Sequence, residues 1–266
     1  MEQLRVVRMK TRVSFVVALR DGCVSGPPSD RNLEVRLVNY PRKPIGKPDG
    51  TYIFVDLEPG TYRLEISSTY YFRETRDISV GPSSAIIHIP LIPVPSYPYR
   101  PNDTLVRAMV ADASGLPIGN AVVTATMLSE DCVKGRISED KAGKGSDEIS
   151  VASLTGKIEI GDRFLLVGRG SKEGKEMILI RDVIEFQRRF RLESGLKSSY
   201  SRGSLLFPLL VTRTTERGEL AVAFPGGKAK TFKAELRIER ESDNKSAVME
   251  ISVEEGGTVN LGTWIV

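Results

Sequence analysis

His88, Cys23 and Cys132 are the residues whose types could serve as nucleophile, base or zinc ligand, and their spacing argues against all three roles. His88 is the only histidine; it stands in "AIIHIPL", where alternation puts it beside Ile86 on one face of a strand. A serine nucleophile would need a Gly-x-Ser-x-Gly elbow, and the chain has none. Zinc needs several Cys, His or carboxylate ligands, whereas one histidine and two distant cysteines are available. "GRGSKEG" (168–174) is glycine-rich but lacks the Gly-Lys-Ser/Thr ending and following helix of a phosphate loop, so it is expected to be a hairpin tip. "SEDKAGKGSDE" (138–148) carries acids without the regular spacing of a calcium loop. Glu239 with Glu241 and Glu254 with Glu255 fall on strand ends and turns, as solvated pairs do. Neither catalysis nor a cofactor is expected.

One stretch has the chemistry of a binding surface. In "FQRRFRLESGLKSSYSR" (186–202), Arg188, Arg189, Arg191, Lys197 and Arg202 interleave with Phe186, Phe190 and Tyr200. Cations spaced among aromatics suit an acidic partner or a phosphate backbone. Alternation sets Arg189 and Arg191 on one face, opposite Arg188 and Phe190. The competing reading is a charged edge that blocks unwanted strand pairing, and it is the stronger one. Tyr70, Tyr71 and Phe72 form a second candidate, a small aromatic platform for a glycan, although core and edge roles are commoner for such residues.

Short strands must position all of these. The chain has 266 residues, 40% hydrophobic, with 24 glycines and 15 prolines, and suits more than one turn-rich domain. Lys and Arg exceed Asp and Glu by 38 − 34 = 4, spread along the chain, so no nucleic-acid partner is expected. The two cysteines fall in different predicted domains and are expected to be reduced thiols. Near the N-terminus, Arg20 and Asp21 interrupt "VSFVVAL" before a signal-length apolar core, and no run has the length of a membrane span. The expected location is the cytoplasm or a virion-like particle assembled there.

In "PDGTYIFVDLEPGTYRLEIS" (48–67) two alternating runs are bounded by Asp49-Gly50 and Pro59-Gly60, which reads as two strands paired in a hairpin. "RVSFVVAL", "EVRLVN", "RETRDISV" and "AIIHIPLI" add strands around it, making a small β-sandwich. This stretch resembles the carboxypeptidase regulatory-like family through Gly50, Tyr52, Phe54, Leu57, Pro59, Gly60, Tyr62 and Leu64. The resemblance covers roughly residues 10 to 93, implies a transthyretin-like, immunoglobulin-like sandwich and says little of function; the first domain is assigned to residues 1–93.

"IPVPSYPYRPND" reads as a stiff linker, assigned to residues 94–103. Beyond it Gly115, Pro117, Ile118, Ala121 and Val123 resemble the start of the same family, but the continuation comes some eighty residues later. There Arg217-Gly218 stands for Asp49-Gly50, and "ELAVAFP" and "FKAELRIE" stand for the two runs. The second sandwich is therefore expected over 104–128 and 209–266, split by an inserted β module over 129–208. The start of that insertion, "SEDCVKGRISEDKAGKGSDE", is charged and Gly-rich and is expected to be a mobile connector or exposed hairpin. Its remainder suggests a compact barrel-like or two-layer unit. It resembles a module recurrent in phage tail proteins through Ile149 to Ser153, Gly161-Asp162, Glu176 to Ile180, Leu192, Leu196, Tyr200, Gly203 and Leu206.

The fold class expected is all-β: two immunoglobulin-like or transthyretin-like sandwiches, the second interrupted by a barrel-like insertion. The resemblances imply a non-catalytic structural protein of a phage-tail-like contractile particle, with protein subunits of a larger assembly as partners. A carbohydrate- or ligand-binding module, acting on a cell-surface glycan, is the alternative. Self-association is left open, and no membrane is expected.

Overall fold

The computed structural model describes residues 11–30, 32–170, 174–225, 229–240 and 245–266, and for Arg240 and Lys245 the backbone only. The chain forms two compact units, Met1–Leu91 and Ile92–Val266. It is all-β. Among the described residues the sole helical element is a 3-10 turn at Glu130–Cys132.

The first unit holds β1 (Val13–Asp21), β2 (Glu34–Leu37), β3 (Ile45–Gly46), β4 (Thr51–Val55), β5 (Gly60–Ser67), β6 (Glu74–Val80) and β7 (Ala85–Leu91). One sheet runs β3-β4-β1-β7, with β1 antiparallel to β4 and parallel to β7; the other runs β2-β5-β6, antiparallel throughout. Alternation fills the space between them with Phe15, Val17, Phe54, Leu64, Ile66 and Ile89, each at most 2% exposed. Phe15 stacks on Phe54 with ring centroids 4.5 Å apart.

The hairpin expected over residues 48–67 is not formed. β4 pairs with β1 and β3 while β5 pairs with β2 and β6, so Pro59-Gly60 carries the chain from one layer to the other. Alternation tells which side chains face inward; it does not tell whether two successive inward rows lie side by side or face each other across the core. β3, two residues long, carries no alternation to recognise.

The strands of the second unit are, in order, β8 (Thr104–Ala111), β9 (Val122–Met127), β10 (Gly135–Ile137), β11 (Lys141–Ala142) and β12 (Glu148–Ala152). Then come β13 (Arg163–Val167), β14 (Lys175–Glu185), β15 (Arg189–Leu192), β16 (Tyr200–Ser201) and β17 (Leu205–Arg213). Last are β18 (Glu219–Phe224), β19 (Thr231–Arg240), β20 (Lys245–Glu254) and β21 (Thr258–Ile265). One sheet is β18-β8-β21, antiparallel then parallel; β9-β19-β20 faces it, antiparallel throughout. This repeats the pairing of the first unit strand for strand, with β8, β9, β18, β19, β20 and β21 in the places of β1, β2, β4, β5, β6 and β7. Val110, Val123, Ala125, Leu236 and Ile238, each fully buried, make its core, and Trp264 joins it at 5% exposure.

A shared turn explains the shared sequence signature. Leu19 N–H donates to Gly50 O (3.0 Å), and Val110 N–H donates to Gly218 O (2.8 Å). Both glycines have positive φ, 81° and 78°. A Cβ on Gly50 would lie 2.7 Å from Leu19 O, and one on Gly218 would lie 2.4 Å from Val110 O. Asp21 and Asp112 each close the preceding turn, accepting from Cys23 N–H (2.7 Å) and Ser114 N–H (2.9 Å).

Between β9 and β18 the chain builds a closed barrel, β17-β13-β14-β15-β12-β10, with β10 pairing back onto β17. Leu206, Leu166 and Phe190, at 0% exposure, and Ile149, Tyr200 and Ile137, at 1%, fill it. The charged run at its start is not a loose connector: it supplies β10 and β11, burying Ile137 and Ala142. β17 serves both bodies. Leu205 to Pro208 pair with β13, and Leu209 to Arg213 pair with β9. Residues 92–103 pack on the outer face of β8. Arg107 donates to Pro95 O (3.0 Å) and lies over the Tyr99 ring at 5.5 Å, and Tyr97 is buried.

Gly50→Ala and Gly218→Ala are each expected to cost about 3 kcal/mol or more, since the clash adds to the left-handed penalty. Gly115→Ala should cost only about 1 kcal/mol, because Gly115 has φ 83° but nothing within 4 Å of its Cβ position. Urea unfolding of the three variants checks the ranking.

Candidate docking surface

β14 and β15 form a hairpin whose tip is Glu185-Phe186-Gln187-Arg188. The outward residues of β15 are Arg189 and Arg191, and the inward ones are Phe190 and Leu192, at 0% and 2% exposure. Both arginines converge on Glu148 of the neighbouring β12: Arg189 Nη2 lies 2.8 Å from Oε2, and Arg191 Nη2 lies 2.9 Å from Oε1. Arg191, then Arg189, hold the Glu148 carboxyl below its ordinary value of 4.5. Arg188 pairs with Glu185 at 3.2 Å, and Arg202 donates from Nε to Ser138 O at 2.8 Å, 3.7 Å from Asp140. Glu176 accepts from the Lys197 backbone N–H.

Glu148 thus brings Arg189 and Arg191 together, Arg188 and Arg202 meet other carboxylates of the barrel, and Lys197 is engaged through its backbone. The interleaved aromatics do not line up beside this basic strip. Phe190 and Tyr200 are core residues, since alternation that turns arginines outward turns these rings inward. A base-stacking surface is absent from this strip for that reason.

Phe186 behaves differently. Its side chain stands 73% exposed at the tip, next to Ile184 at 37%. Gln187 holds the turn in place with φ 55°. Its side-chain amide bonds twice to one backbone: Nε2 donates to Ile158 O and Oε1 accepts from Ile158 N–H, both at 3.1 Å. Val151 N–H donates to Arg188 O on the other side of the tip, at 2.8 Å. An aromatic ring is therefore presented to solvent on a turn tied down from both flanks. Aromatic and arginine side chains so placed are the usual anchors of protein contacts.

In the first unit, Tyr71 is 1% exposed and donates its hydroxyl to buried Asp21 (2.5 Å) while accepting from Ser29 N–H (3.2 Å). Burial, then the Asp21 carboxylate, push its pKa upward. It cannot belong to an exposed platform; Tyr70 and Phe72 are only half-buried. His88 is exposed on β7 beside exposed Ile86. Another charge cluster lies on the outer face of β5, where Glu65 bridges Arg73 and Arg36. Asp30 is drawn upward by burial, yet hydrogen bonds from Ser68, Asn32 and Thr69 outweigh that and hold it below its ordinary value. Ser171 to Glu173 of the "GRGSKEG" tip and Glu241 lie outside the described residues. No cluster of three or more His, Cys, Asp or Glu able to hold a metal occurs among the described residues, and no helix there is long and apolar enough to cross a membrane.

No protein-family model matches the chain. No curated protein matches it either. Among solved structures it is similar to the Bacillus anthracis TIE protein at 11% identity, covering 97% of this chain and 50% of that one, TM-score 0.26. It thus spans half the length of that protein. It is also similar to the shaft pilin SpaA of Lactobacillus rhamnosus GG (8% identity, 95% and 96% covered, TM-score 0.24). A third is a variant of BcpA, the major pilin subunit of Bacillus cereus (11%, 94% and 70%, TM-score 0.23). TM-scores this low say nothing about what this chain binds.

The pair of arginines on Glu148 sets a pH dependence. A carboxyl held below its unfolded value stabilises the fold above that value and loses the contribution as pH falls through the folded pKa. Urea midpoints followed from pH 7 to pH 3 should therefore fall in acid, below the ordinary 4.5. Glu148→Gln should remove part of that fall. An identical pH profile for the variant would show that the cluster contributes nothing.

Proposed function

We propose that this chain is a non-catalytic structural protein that works by contact, as a component or accessory of a phage-tail-like contractile particle. The observation that carries the reading is the barrel tip: Phe186 and Ile184, apolar and exposed, on a turn fixed by the Gln187–Ile158 hydrogen bonds. Burying such a ring against a partner contributes about 1.5–3 kcal/mol, and a fixed turn has little conformational freedom to lose on binding.

The resemblance of the insertion to phage tail modules supports the particle assignment. The residues that carry it are the ones the barrel needs. Ile149, Leu192, Leu196, Tyr200 and Leu206 form its core, and Gly161 and Gly203 take positive φ, 90° and 88°, in its turns. That chemistry is structural, which leaves the outer surface for docking. Protein subunits of the particle are the partners this surface suits. Buried Tyr71 and Trp264 weaken the glycan reading.

Fractionation of native extracts should carry the chain in a large particle. Phe186→Asp should move it to the free fraction without changing its unfolding midpoint, because the side chain lies outside the core. A wild-type chain that is free in every native extract contradicts the proposal.

A further inference from the structure

The two sandwiches differ at one equivalent edge. Among the described residues, β6 ends its sheet in the first unit and β20 ends the corresponding sheet in the second. On β6 the core-facing row is Glu74, Arg76, Ile78 and Val80, and Glu74 and Arg76 pair at 2.9 Å. Charges turned toward the core at a sheet edge obstruct the approach of another strand. Among the described side chains of β20 there is no such guard; Lys245, at the start of the strand, is described by its backbone only. Its core-facing row is Ala247, Met249, Ile251 and Val253, of which only Val253 is fully buried. Its ladder with β19 runs from Thr231↔Glu254 to Arg240↔Lys245 without a bulge. Across the gap between the sheets, Val259 and Leu261 of β21 are also only partly buried. An apolar seam thus lies along an edge strand of ten residues.

The outward row of β20 carries acids, Glu250 and Glu254, among Ser246, Val248 and Ser252, while the outward row of β19 mixes Glu235 and Glu239 with Lys233 and Arg237. Glu250 is exposed and stands directly opposite Glu235 of β19, a like-charged cross-strand pair, and Glu254 is exposed further along. Glu235 already pairs with Arg237 at 3.5 Å, so the charge that a further strand would meet beside β20 is that of Glu250. We infer that β20 accepts an extended strand from a partner protein, one that alternates apolar residues over the Met249–Ile251 seam with Lys or Arg beside Glu250. Backbone hydrogen bonds give such an addition its affinity, and the alternate side chains give it specificity. The inference names a partner class for the contact role proposed above and rests on that role, but on a different surface.

The test uses the full chain and a capped synthetic peptide of about eight residues alternating valine with arginine, a usual strand length. The control peptide alternates valine with glutamate. The arginine peptide should bind in a salt-dependent manner, shift the backbone amide resonances of β20, and leave the glutamate peptide without effect. Glu250→Lys, at an exposed position, should weaken binding by about tenfold or more. Met249→Arg, which copies the guard on β6, should abolish it; where that variant misfolds, Glu250→Lys decides. Equal binding of both peptides, resonance shifts away from β20, no binding by the arginine peptide, or no effect of Glu250→Lys overturns the inference. Peptide binding by a chain never found in a particle would keep this edge and reject the particle; a particle-bound chain with an inert β20 would do the reverse.

Discussion

The second unit depends on one continuous strand. β17 runs nine residues without interruption, its first part closing the barrel and its second part extending the sandwich sheet. Leu206 is buried in the barrel core, while Leu210 packs against the sandwich core. Because the side-chain period of a strand is two, both lie on the same parity of β17, and the barrel interior and the sandwich interior meet along a single pleated row. A slip of one residue in β17 would turn both rows outward at once. The insertion is therefore held by the backbone of the domain it interrupts, and Phe186 is presented from a scaffold rather than from a tethered lobe.

The chain uses duplicated local devices to build its two sandwiches and then varies them where contact matters. The aspartate turn after the first strand and the glycine before the third large strand recur in both copies, because each satisfies a backbone requirement that other residue types meet poorly. The edge strands diverge. The core-facing row of one edge holds Glu74 and Arg76, and that of the other holds Met249 and Ile251. Charge is answered locally in both units: Glu148 meets the arginines of β15, Glu65 meets Arg36 and Arg73, and Glu235, which stands opposite Glu250, meets Arg237.

Much of this was legible in the sequence, and the failures have a common cause. Alternation gave the inward rows, and the Asp-Gly and Arg-Gly turns marked the repeat despite the insertion between its halves. Alternation could not tell that β4 and β5 lie in opposite layers, since facing and adjacent rows have the same period. It also could not count charge partners. Arg189 and Arg191 looked available because Glu148, some forty positions away in sequence, meets them only when the barrel closes. Whether Tyr71 joined a platform or the core was not decided by alternation, because its partner Asp21 is the last residue of β1. "FQRR" held the signal for the barrel tip, but the exposure of Phe186 follows from Gln187 reaching Ile158, a contact without a sequence period.

The most direct test of the central claim is hydrogen exchange at single-residue resolution along the amides of β9, β13, β17 and β19. If β17 joins the barrel and the sandwich into one body, their most protected amides should open together, with the same free energy and the same denaturant dependence. A barrel whose amides exchange in a separate, lower-energy opening while β9 and β19 stay protected would contradict it.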